Sequence, residues 1–110
     1  MAPLDDEQRR YLEHQGAYNA RARLREDRGD RRGAIADYER ILASSIATGL
    51  DKNVLAHARF QLAQLLPDGA RRRSRELAED ARRTYAEHAG LFADDVREID
   101  AWLADHPSAP

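Results

Sequence analysis

Residues Gly29 to Leu42, GDRRGAIADYERIL, mark a corner between two helices. Arg28-Gly29 closes the first, because glycine tolerates the positive φ of a left-handed helix end. Asp30 caps the second, its carboxylate accepting bonds from the free N–H groups of the first turn. Ala34, Tyr38 and Leu42 then recur every four residues along one face. A small residue followed one turn later by an aromatic lets two antiparallel helices approach closely and fills the gap they leave.

Working outward, a first helix is expected over residues 5–28. Asp5 and Gln8 stand at capping-box spacing, and Asp6 and Glu7 lie at the positive end of the helix dipole. Tyr11, Tyr18 and Ala22 form one stripe, and Ala17, Ala20 and Leu24 a second. Gly16 marks a kink or a break. The second helix, 31–48, buries Ala34, Ile35, Tyr38, Ile41, Leu42 and Ile46, and Gly49 ends it. Asp51 or Asn53 caps a third helix, 54–66, whose broad face carries Leu55, Ala58, Leu62, Leu65 and Leu66. Pro67-Asp68-Gly69 is a stop and turn signal. A fourth helix, 70–89, turns Leu77, Ala78, Ala81 and Tyr85 inward, and Gly90 closes it. A fifth, 95–105, opens on the capping pair Asp95 and Glu98 and shows the stripe Val96, Ile99, Trp102 and Leu103. Residues 106–110 form a frayed tail. No alternating β-branched run suggests a strand, so the expectation is all-α, about five helices in a single domain.

The composition bounds the function. The chain has 110 residues, 42% hydrophobic and 35% charged, so its core should be thin and built from narrow apolar faces. A net charge of −2 argues against a dedicated nucleic-acid or membrane-surface binder. Lys52 is the single lysine, and the arginine and alanine excess reads as codon bias from a GC-rich genome. Without cysteine there is no disulfide, thiolate nucleophile or Cys-ligated metal. No apolar run approaches the ~20 residues of a membrane span, and the acidic N-terminus is unlike a signal peptide. A cytoplasmic location is expected.

Internal repetition separates a stacked array from a bundle. In ARFQLAQLLPDGARRRSRELAEDARRTYA, Ala58 to Ala86, the large-then-small pair Leu62-Ala63 is followed by Leu66. Ser74, Ala78 and Ala81 then stand where Ala34, Tyr38 and Ile41 stand in the first unit. This outline resembles the tetratricopeptide (TPR) repeat. Ala34 and Ser74 lie roughly 40 residues apart, against a common period of about 34, which is similar to the longer-helix repeats of kinesin light chain. Arg21 departs from the family pattern where leucine is preferred, and Arg25 where an aromatic is preferred. The resemblance implies repeat one over about 18–48, repeat two over about 54–89, and 95–105 as a capping helix, stacked in a short right-handed superhelix. A five-helix bundle without repeat logic is the alternative. Two repeats are few for a solenoid, so a second chain could supply a missing neighbour.

The chemistry-bearing residues are sparse. His14, His57, His88 and His106 are scattered, with no His-Glu-x-x-His or Glu-x-x-His spacing. No serine sits in a Gly-x-Ser-x-Gly elbow, and no glycine-rich loop ends in Gly-Lys-Ser/Thr. The expectation is no enzyme, no metal and no cofactor. Arg71, Arg72, Arg73 and Arg75 open the fourth helix, where positive charge opposes the dipole. They suit an acidic partner or a nucleic acid, or form a solvated face paired with Glu76, Glu79 and Asp80.

The resemblance implies that first helices of successive repeats line a concave groove. Carried over by position, that groove holds Asn19, Arg23, Glu26, His57, Phe60, Gln61 and Gln64. Phe60 lies about 140° from Leu55 at about 100° per residue, off the leucine stripe. An exposed aromatic there would anchor a peptide, while the alternative packs it against the first repeat. The functional expectation is an adaptor that holds a peptide or helix of another protein. Its rivals are a homo-oligomerising module and, less favoured, nucleic-acid binding through Arg71 to Arg75.

Overall fold

The computed structural model describes residues 20–48 and 52–107, with side chains at 20–43 and 52–107. Among these residues there are five α-helices, one 3-10 turn and no strand. They are α1 (20–27), α2 (Arg31–Thr48), α3 (Lys52–Leu65), α4 (Arg71–Ala86) and α5 (Ala89–Asp105). The all-α expectation holds. The chain divides into two compact units, residues 1–50 and 51–110. The expected elements before residue 20, with Asp5, Gln8, Tyr11, Gly16 and Tyr18, lie outside the described residues, as do Gly49 and Asp51.

In the first unit, α1 ends in a Schellman turn. Gly29 has φ +77, Asp30 N–H donates to Arg25 O at 2.7 Å, and Gly29 N–H donates to Glu26 O at 3.0 Å. Asp30 then caps α2, its Oδ1 accepting from Gly33 N–H at 3.0 Å. Gly33 leaves room for the Asp30 carboxylate and Arg25 Cδ, which occupy the space a Cβ would take and would have to shift for a larger residue. The corner is therefore built as its sequence dictates. Ala22, Ala34, Tyr38 and Ile41 are fully covered, and Ile35 and Leu42 half-covered. The second stripe expected on α1 is not a core stripe: Ala20 and Leu24 are exposed.

In the second unit, Pro67 stops α3 at Leu65. A single 3-10 turn, Asp68–Ala70, reverses the chain, closed by Ala70 N–H to Pro67 O at 2.9 Å. Helices α3, α4 and α5 share one core of Ala56, Phe60, Ala63, Ala78, Ala81, Tyr85 and Ile99. Leu77, Phe92, Val96, Trp102 and Leu103 pack on its margin. Three helices approach closely here because most of the facing side chains on α3 and α4 are no larger than a methyl group.

Three boundaries differ from expectation, the first being the start of α3 at Lys52, which puts Asn53 inside the helix and not at its cap. Helix α4 ends at Ala86, and Gly90 lies inside α5 with no left-handed conformation. The stop is made by short-range bonds, Glu87 N–H to Thr84 O (3.3 Å) and His88 N–H to Tyr85 O (3.2 Å), which tighten the last turn. Helix α5 starts at Ala89, so Asp95 and Glu98 sit inside it and do not cap it. Its first turn bends at Phe92 (φ −119, ψ 27), which brings that ring onto Tyr85, centroids 5.0 Å apart.

Candidate functional site

The residues expected in the groove divide between the units. Asn19 lies outside the described residues. Arg23 is exposed on α1. Glu26 is half-buried and already engaged, Oε2 accepting the Tyr38 hydroxyl at 2.8 Å. Burial, then this bond and the Glu26 charge, push the Tyr38 hydroxyl well above the usual tyrosine range. Glu26 is thus a strut between α1 and α2 before it is a ligand for anything else.

On α3, His57 and Gln61 are half-buried and Gln64 is exposed. Their spacing, i, i+4 and i+7, makes one polar stripe along the helix. Gln64 Nε2 donates to Phe60 O at 3.3 Å, holding its amide along the α3 surface. Immediately beside it runs the buried stripe Ala56, Phe60 and Ala63.

Phe60 is not the exposed anchor expected from its angle to Leu55. It is 6% exposed and meets Trp102 of α5 edge-on, centroids 6.1 Å apart at 89°. The leucine stripe is one of two apolar faces on α3. The second is built on alanines, which contribute little hydrophobicity, so Phe60 looked isolated although it is the largest side chain of that second stripe. Its ring partner comes from α5.

The basic run divides as well. Arg72 and Arg73 are exposed, Arg72 facing Glu76 at 3.7 Å, and Arg71 is half-buried. Arg75 is withdrawn from the patch: Nη1 donates to Leu103 O at 3.0 Å and to His106 O. It closes the C-terminus of α5, bonding the Leu103 carbonyl, which also accepts His106 N–H at 3.3 Å, and the His106 carbonyl beyond it. A four-arginine surface is therefore reduced to three, with Glu76 and Glu79 on the same helix.

One cluster was not anticipated. Asp37 is 1% exposed and receives Arg21 Nη2 at 2.7 Å, Arg21 Nε at 3.1 Å and Arg25 Nη1 at 3.1 Å. Arg25 Nη1 also donates to Gly33 O at 3.2 Å. Arg21 and Arg25 therefore join α1 to α2 through a buried carboxylate and two guanidinium groups. The signal was present: Asp37 lies between Ala34 and Ile41 on the core face of α2, and a carboxylate there demands a cation.

Among the described residues no group of three His, Asp or Glu side chains is placed to hold a metal ion, and no helix is long and apolar enough to cross a membrane. His106 stacks on Trp102, centroids 4.2 Å apart, with Nδ1 2.8 Å from Trp102 O. The chain matches no protein-family model, no curated protein and no solved structure.

Proposed function

We propose that the chain is a TPR-like protein-interaction module working in the cytoplasm, and that it binds a peptide or helix of another protein without catalysing a reaction. The observation that carries this reading is the polar stripe His57, Gln61 and Gln64 on α3. The adjacent stripe is locked in the core, so the helix presents amide and imidazole groups at fixed spacing. Side-chain amides both donate and accept hydrogen bonds, which suits the backbone of an extended or helical segment. Helix pairs closed over small residues, Ala22 and Ala34 in one unit and Ala63 and Ala78 in the other, support the repeat reading.

The test avoids fully buried positions, because Phe60→Ala would damage the core. Gln61→Glu with Gln64→Glu, and separately Arg23→Glu, are compared with wild type in affinity capture from the native host, read by mass spectrometry. The expected outcome is loss of specific partners with unchanged helical circular dichroism and melting temperature. Full retention of every partner by both folded variants would end this reading.

A further inference from the structure

The helical phase of α4 runs through the corner into α5. Ser74, Ala78, Ala81 and Tyr85 are the buried residues of α4. Continued by steps of three or four, the stripe passes the exposed His88 and reaches Phe92, Val96, Ile99 and Trp102. Ile99 is buried there, and Phe92, Val96 and Trp102 pack on the same core. Residues Arg71 to Asp105 thus carry the apolar pattern of one uninterrupted amphipathic helix.

The bend that divides it is made at two ordinary residues. His88 (φ −131, ψ 52) and Phe92 (φ −119, ψ 27) leave the helical region, and there is no proline and no left-handed residue between Arg71 and Asp105. Both residues take helical angles at ordinary propensity cost. The facing pairs across the corner lie at near-equal sequence distances from Ala89 and Gly90. Tyr85 meets Phe92, Arg82 pairs with Asp100, and Arg75 reaches the carbonyls of Leu103 and His106.

We infer that α5 is an exchangeable arm. With His88 and Phe92 helical, α4 and α5 form one straight helix, and α5 docks on the α3–α4 face of a second copy. Two such helices run antiparallel and cross at Ala89 and Gly90, whose small side chains permit close approach. The pairing of Arg82 with Asp100 and the reach of Arg75 to the end of α5 are then remade between chains. Leu91, 81% exposed at the corner, lies beside the crossing, where the second copy covers it. The closed and exchanged forms share those pairings, so concentration and the corner decide between them. This goes beyond partner binding, because the occupant of the α3–α4 face is the chain's own arm in both forms.

The absence of cysteine makes a direct test clean. One batch carries Arg82→Cys and another Asp100→Cys. The two are mixed, unfolded in guanidinium, refolded together at high concentration, and treated with a short bis-maleimide. The expected result is a dimer by light scattering in which a cross-link joins position 82 of one chain to position 100 of the other. Adding Ala89→Pro to both chains suits the first turn of α5 but breaks the straight helix. It should lower the dimer association constant by about a hundredfold or more while the monomer stays helical. A mass that remains monomeric at every concentration, or a dimer without the 82–100 cross-link, overturns the proposal. The parent pair decides alone if the proline variant fails to fold.

Discussion

The pairs α1–α2 and α4–α5 are both antiparallel, both joined by a few residues, and held by different physics. The first is pinned by the Asp37 carboxylate between Arg21 and Arg25, and by the Tyr38–Glu26 bond. The second is held chiefly by area, with Ile99, Phe92, Val96 and Trp102 laid over an alanine-rich face and Arg75 bonding the carbonyls at the end of α5. Its cross-helix ion pair, Arg82 with Asp100, is exposed and contributes little. Charge fixes a register at points, since the guanidinium groups reach Asp37 in one alignment only. Apolar area fixes adhesion and tolerates sliding or exchange. The turns match this division: Gly29 and Asp30 build a corner that few other residues can make, while His88 and Phe92 build one that almost any sequence could straighten.

The sharpest way to break the first pair is to leave its buried charge alone. Arg21→Ala with Arg25→Ala should lower unfolding free energy by about 3–5 kcal/mol in urea titration, because the carboxylate loses all compensation. Asp37→Leu should change it by less than about 1 kcal/mol. Both arginines are partly exposed and can turn to solvent, and the leucine fills the site. Equal losses from the two variants would mean that the cluster acts through packing.

In the second pair the comparable probe is Ile99→Ala. It should cost about 2–4 kcal/mol, with no dependence on salt, since only apolar contacts are lost. A salt-dependent loss of similar size would place the charge network, and not the core, in control of α5.

Alkaline pH separates the pairs more gently. Burial, then the charges of Asp95 and Glu98, push the Tyr85 hydroxyl up to about 12, and Tyr38 is raised as well. A hydroxyl whose folded pKa exceeds its unfolded value, about 10, stabilises fully below that pH. The stability is lost as pH rises through the folded value, because the unfolded chain releases the proton first. Melting temperature should therefore fall between about pH 10 and 12. Tyr85→Phe should flatten the part of that fall belonging to the second unit, and Tyr38→Phe the remainder. A melting temperature level over that range would show that both hydroxyls are hydrated.

The local chemistry of the fold was legible. Gly29, Asp30, Pro67 and the stripe of Val96, Ile99 and Trp102 act on neighbours a few residues away, so their meaning is complete in the sequence. Phe60 was misread for the opposite reason, and Arg75 in part, since its expected pairing with Glu79 is present at 3.4 Å but its reach to α5 was not foreseen. Each finds a partner on α5, about thirty or more residues onward, and nothing near either one announces it. Gly90 misled because the α4 stop uses tightened hydrogen bonds, which leave no compositional mark. Arg21 and Arg25 were noticed as irregular, but their sense appears only when Asp37 is placed opposite them. Of the proposed surface, the spacing of His57, Gln61 and Gln64 was visible; what lies in contact with it was not.

The stacking of Trp102 has a practical consequence. It is the only tryptophan in the chain, and it lies between Phe60 of α3 and His106 at the end of its own helix. Its intrinsic fluorescence is therefore a label-free gauge of α5 docking. Detachment of the arm should move emission to longer wavelength as the indole meets water. Exchange between copies remakes the same surroundings and should leave the spectrum unchanged while the molecular mass doubles. One optical signal and one hydrodynamic signal, recorded together, thus tell undocking from exchange without any modification of the chain.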